Sequence, residues 1–203
     1  MKKLNFGGVI SYAHPHALRF ASAIAQGKGG TKLVAISGDG SNSDVARAEA
    51  RRYGARFYGG DYEVLLRDEN VEAVYIAIET YRHKEIAVRA AEEGKHILLE
   101  KPIALNLKDA DEVIKAAERA GVKLMLPFNP RFTDPLRKAR EMLDAGEIGP
   151  LEYAQTISEN VKPPIFLQGG LDMSWFLDAR KSGGGGFMDT APPRRRLPSL
   201  ADR

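Results

Sequence analysis

HILLEKPIAL, residues 96–105, is the stretch that decides the fold. His96 to Leu99 read as an apolar strand, and Glu100, Lys101 and Pro102 end it. A carboxylate, an amine and a ring that lacks an N–H cannot continue a buried ladder, so this strand stops abruptly and presents polar groups at its carboxyl end. Upstream, His83 to Glu93 reads as a helix closed by Gly94, a good C-cap. Before it, Ala73 to Ile78 (AVYIAI) is almost wholly apolar, as expected of a strand covered on both faces. Downstream, Leu107 to Ala120 reads as a helix closed by Gly121, and Val122 to Leu126 as another strand.

The same alternation reaches back to the amino terminus. Leu4 to Ile10 reads as a strand, and Pro15 to Gln26 as a helix with proline at its start. Lys32 to Ile36 is a second short strand, Ser43 to Tyr53 a helix with Ser41, Asn42 and Ser43 as N-cap candidates, and Tyr62 to Arg67 a short helix. Strands and helices alternating at these lengths predict an α/β fold built on a doubly wound parallel sheet, which binds ligands at the carboxyl ends of its strands. After Leu126 the rhythm changes. Phe132 to Ala145 reads as a helix ended by Gly146, and Leu151 to Ile157 alternates like a half-exposed antiparallel strand. The expected division is therefore a first domain over 1–127, the incomplete start of an α+β substrate domain over 128–191, and an atypical tail over 192–203.

Composition sets outer bounds. Of 203 residues, 43% are hydrophobic and 28% charged, an ordinary globular balance. The formal charge is +3, but Arg194, Arg195, Arg196 and Arg203 crowd the last ten positions, so nucleic acid is not an expected partner. There is no cysteine, hence no disulfide framework and no thiolate metal site, and no metal is expected. No apolar run reaches the length of a membrane span, and Met1-Lys2-Lys3 does not introduce a signal-peptide core, so the expectation is a cytoplasmic protein without membrane contact.

Several residues are placed where chemistry happens in such a sheet. The turn after the first strand reads VISYAHPH; a dinucleotide fold keeps glycines there so that backbone and helix N-terminus approach the pyrophosphate. Ser11, Ala13 and His16 stand at the usual glycine positions, and His16 is not small. On this turn alone a strand–turn–helix without a nucleotide is the better reading. Asp39 follows the second strand about one place late for a ribose-binding acid. Lys101, at a strand's carboxyl end and followed by proline, is oriented into the crevice, where its ammonium can donate to a substrate oxygen and assist proton transfer. His83 starts the helix after Ala73–Ile78, at the same edge, with capping as its default role.

Together the stretches resemble the glucose–fructose oxidoreductase / inositol dehydrogenase / MocA family. Ala90-Ala91-Glu92-Glu93-Gly94-Lys95-His96 leading to Glu100-Lys101-Pro102, the Asp61–Leu66 helix, Asn70–Ala77 leading to His83, Leu124–Phe132, Gly146–Gly149 and Gly183–Gly186 agree in order and spacing from about Leu4 to Asp189. The resemblance implies a Rossmann-type fold and an NAD- or NADP-dependent oxidoreductase acting on sugars, cyclitols or related polyols. It implies that Lys101 is the catalytic lysine and that Asp189 matches the family's catalytic aspartate. It places Ser11, Tyr12, Ala13, Asp39, Ile78, Glu79, His83, Glu100, Lys101, Pro102 and Asn129 along the cofactor. It also implies a homo-oligomer for full-length members, an assembly doubtful for this chain.

The sequence departs from the family at three places. Pro193 stands where the family has a histidine four residues after its aspartate, and from Pro192 onward (PPRRRLPSLADR) the resemblance ends. This shift suggests a break in reading frame just after Ala191. The first turn is glycine-poor. Ile78-Glu79 replaces a Thr-Pro pair that commonly lines the cofactor, and Glu79 either opposes a phosphate or contacts a ribose. Two other readings stay open: a nucleotide- or partner-binding protein without catalysis, and an inactive fragment of such an enzyme.

Overall fold

The computed structural model of the protein describes residues 6–153, 155, 167–168, 170–184 and 188. Six strands form one parallel sheet: β1 (Phe6–Ile10), β2 (Ala35–Ser37), β3 (Arg56–Phe57), β4 (Ala73–Ile76), β5 (His96–Leu99) and β6 (Leu124–Met125), in the order β3-β2-β1-β4-β5-β6. Every pairing is parallel, with Val9 opposite both Ile36 and Tyr75, and Leu98 opposite Tyr75. Strand order reverses between β1 and β4, so the switch point, where such sheets open a ligand crevice, lies between these two carboxyl ends.

Helices cover both faces because the strands are apolar on both. Val74 and Ile76 of β4 join Ile10, Leu65, Leu66, Ile86, Leu99 and Val113 in one core, under α3 (Tyr62–Arg67), α4 (His83–Glu92) and α5 (Leu107–Ala120). Tyr75 and Ala77 join Val9, Ile36, Ala17, Ala21, Ala46 and Ala50 in the other, under α1 (His16–Ala25) and α2 (Ser43–Tyr53). Each fully buried leucine or isoleucine contributes about 1.5–3 kcal/mol against chain entropy. At α2 the packing is limiting: a Cβ on Gly38 would stand 2.2 Å from the Cβ of Ala46. Gly94 and Gly121, at φ 69° and 66°, close α4 and α5 as expected.

The sequence reading gives β5, α2, α3 and α5 with the bounds observed. It starts β2 three residues early and ends it one early, and extends β4 by two; Val34 and Ala77, just outside the observed strands, still donate to the Gly7 and Ile10 carbonyls, so the reading follows pairing that frays at the strand ends. It misses β3, two residues paired on one side only. Asn129–Phe132 forms a 3-10 turn ahead of α6 (Asp134–Asp144), so the helix expected from Phe132 starts later. Leu151, Glu152, Tyr153 and Gln155 lie outside any strand, and the remainder of the strand expected over Leu151–Ile157 falls outside the described residues.

The last described segment returns to the sheet. A short antiparallel hairpin, β7 (Leu167–Gln168) and β8 (Leu171–Asp172), leads to a 3-10 turn over Ser174–Leu177 and to α7 (Ala179–Ser182). Leu171 and Met173 are buried in the α1–α2 core. No helix among the described residues is long and apolar enough to cross a membrane.

Candidate active site at the carboxyl edge of the sheet

Glu100 ends β5 completely buried. Its Oε1 accepts from the Tyr75 hydroxyl at 2.5 Å and meets His16 Nδ1 at 3.1 Å; its Oε2 accepts from the Lys101 amide at 3.2 Å and lies 4.0 Å from His14 Nε2. Burial raises the Glu100 carboxyl, but the His16 hydrogen bond, the charges of His14 and His16 and the Tyr75 hydroxyl outweigh it and hold the group down at about 2. The carboxylate thus ties the β1–α1 turn to the end of β5 across the switch point. The Lys101–Pro102 peptide is cis, and Lys101 is 8% exposed at the crevice.

His83, expected along the cofactor, is enclosed at the start of α4 and acts on the loop instead. Its Nδ1 lies 2.8 Å from the Pro102 carbonyl and its Nε2 3.0 Å from the Ile78 carbonyl, so the ring sits between the Lys101–Pro102 segment and the end of β4 and, when neutral, donates to one of the two. Burial lowers the His83 imidazole; the two carbonyls oppose this and lose. Ile78 is buried beside it.

At the first turn Ser11 has φ 68°, the one non-glycine residue among those described with a left-handed backbone, at a position where glycine would be unstrained. Its hydroxyl accepts from the Ala13 amide at 3.2 Å, and both side chains are small and buried. The Tyr12 side chain is fully buried, facing the α1–α2 core rather than the crevice, and burial together with Glu49 raises its phenol. Its part in the turn is therefore played by its main chain.

Asp39, past β2, is bridged at 2.5 Å by Arg82, which also lies 3.9 Å from Glu79. The two acids share one guanidinium, each about a quarter to a third exposed (30% and 25%). Asn129 lies farther along the edge and lines a cavity of about 330 Å³ with His16, Arg19, Phe20 and Phe132. Asp189 lies outside the described residues.

Residues 171–183 run across this whole edge. Asn42 and Asp172 exchange two hydrogen bonds, 3.0 and 2.8 Å; the Trp175 indole donates to the Ala13 carbonyl at 3.0 Å; α7 packs on the Thr80–Arg82 turn; Gly183 lies against Leu105. Asn42 does take the N-cap position of α2, but its side chain caps no amide and pairs with Asp172 instead. Sequence reasoning missed Tyr75, Arg82 and Trp175. None carries a local signal, because each meets its partner far away in the chain. His14-x-His16 did carry one, in its spacing.

The sequence model of the oxidoreductase family with an NAD-binding Rossmann fold, GFO_IDH_MocA, matches residues 8–128. The chain belongs to this family. Myo-inositol 2-dehydrogenase of Thermotoga maritima is 35% identical over 122 residues, 58% of this chain and 35% of that protein. The crystal structure of an oxidoreductase domain protein from Kribbella flavida superposes with a TM-score of 0.78 at 26% identity, covering 99% of this chain and 54% of the other. That of the WlbA dehydrogenase from Bordetella pertussis, in complex with NADH and UDP-GlcNAcA, gives 0.62 at 25% identity over 71% of this chain and 43% of the other. The chain spans less than half the length of the family relatives it matches in sequence (45%, 35% and 35% of three of them). The family match spans the parallel sheet from within β1 to just past β6.

Proposed function

We propose that this chain is an NAD(P)-dependent oxidoreductase that transfers hydride between a nicotinamide cofactor and a sugar, cyclitol or related polyol, with Lys101 as its catalytic residue. The observation that carries the reading is the placement of Lys101. It stands at the carboxyl end of a buried parallel strand, one strand from the switch point, with Glu100 locked beneath it and Pro102 held by His83. The turn residues fit a dinucleotide: Ser11 holds a glycine-like backbone and Ser11 and Ala13 leave no bulk above the turn. The nicotinamide, when bound, accepts or gives a hydride.

The protein supplies the rest. Lys101 donates to the reacting oxygen and takes up or returns its proton. Glu100 orients the Lys101 backbone, and Tyr75 and His16 fix Glu100. Asp39 faces the ribose side with Arg82 beside it, which lowers its selectivity against a 2′-phosphate. The 171–183 segment covers the turn and excludes water from it. Substrate class follows from the relatives, among them the Thermotoga maritima myo-inositol 2-dehydrogenase and a 1,5-anhydro-D-fructose reductase from Ensifer adhaerens. We assign residues 1–127 to the cofactor domain and 128–191 to the start of a substrate domain to which Asp189 belongs.

The test is turnover. With NAD or NADP and a panel of inositols and aldoses, the intact chain reduces cofactor, and Lys101→Ala lowers kcat by roughly 10²–10⁴-fold. Equal rates in the two chains would remove Lys101 from the chemistry.

A further inference from the structure

The sequence reading expects no metal. The carboxyl edge nevertheless gathers three donors of the kind that hold one. His14 and His16 lie in the β1–α1 turn, Glu100 ends β5, and one donor atom from each lies within 4.8 Å of the others. His16 Nδ1 to Glu100 Oε1 is 3.1 Å and His14 Nε2 to Glu100 Oε2 is 4.0 Å. Two donors sharing an ion at about 2.0–2.2 Å stand roughly 3–4 Å apart; each histidine meets a different Glu100 oxygen within that span, and with all three donors within 4.8 Å of one another a small inward movement of the side chains closes the set on one ion. The 4.0 Å pair is too long for a hydrogen bond.

We propose that His14, His16 and Glu100 form a binding site for a divalent transition-metal ion, Zn²⁺ foremost, that clamps the first turn to the end of β5. Two imidazoles and a carboxylate suit zinc and leave a coordination position for water or a small-molecule oxygen. The carboxylate is oriented for the task from outside the donor set, by the Tyr75 hydroxyl on Oε1 and the Lys101 amide on Oε2. The His16 side chain is 29% exposed and opens a way in, while those of His14 and Glu100, at 5% and 0%, are shielded from bulk water. The His16 amide donates to His14 Nδ1 at 3.2 Å, which leaves His14 Nε2 on the Glu100 side as the nitrogen for the ion.

The chain has four histidines, and the other two serve as internal controls. His83 has both ring nitrogens on carbonyls, and His96 sits at the opposite end of β5, where its Nδ1 accepts the Lys123 amide. After treatment with EDTA, the intact chain is titrated with Zn²⁺ in a calorimeter and with Co²⁺ under visible absorption. The expected result is one ion per chain, Co²⁺ bands of a four- or five-coordinate nitrogen–oxygen site, binding weakened at least roughly tenfold in His16→Ala and Glu100→Gln, and no change in His96→Ala. Absence of saturable binding, or binding that survives His16→Ala, overturns the site. Where a variant fails to melt cooperatively, the Co²⁺ spectrum of the intact chain decides: no such bands at saturation overturns it.

Discussion

Glu100 is the residue on which the candidate site turns, and its surroundings show how much a local reading reaches. Its position is legible from the sequence: an acid that ends an apolar strand ahead of Lys-Pro must sit at the sheet's edge. Its partners are not. Tyr75 reads as one more apolar strand residue, and His16 reads as an obstacle in a glycine turn; both acquire their meaning only when β4 and the first turn are laid beside β5. His83 shows the same limit, since its default role as a helix cap gives way to a buried ring between two carbonyls. That burial has a consequence for pH. The folded chain resists protonating His83 below the ordinary imidazole value of 6.5, whereas the unfolded chain does not. The unfolded state then binds more protons, so stability falls as pH drops below that value. Urea midpoints measured at pH 7.5 and 5.5 for wild type and His83→Gln are expected to show a steeper acid loss in wild type. A difference between the two chains that is independent of pH would mean that His83 carries no such linkage. The comparison cancels the other histidines.

Among the elements, those with strong period and clear caps are read with their observed bounds. α5 has Asn106 accepting the Asp109 amide at one end and Gly121 at the other, and β5 is bounded by Lys95 and Glu100. β3 escapes because two residues on an edge make no pattern. The 171–183 segment escapes for a different reason: Asn42 and Asp172 are 130 residues apart, and no local preference encodes that meeting. The contact between α2 and the turn after β2 is the most exacting in the sheet layers, because Gly38 leaves no room beneath Ala46. Gly38→Ala is expected to lower the unfolding free energy by about 1–3 kcal/mol through overpacking, read as a lower denaturant midpoint at unchanged slope. An unchanged midpoint would show that α2 moves away freely and that this packing does not fix the edge.

For the molecule as a whole, the parallel order 3-2-1-4-5-6 places the candidate residues among those described on one edge or directly beneath it. Alternation of strand and helix made that architecture readable, and family membership agrees with it over residues 8–128. The carboxyl-terminal third was least readable, since its described part derives its order from contacts with the sheet rather than from its own period. The central claim is that this edge, with serine, alanine and histidine in place of glycine, still cradles a dinucleotide. A fluorescence titration of the purified chain with NADH and with NADPH, beside Lys101→Ala, tests it most directly. The account predicts saturable binding of at least one of them, retained in the variant, because turn and ribose side hold the cofactor while Lys101 serves the reacting oxygen. A chain that melts cooperatively and binds neither would contradict it.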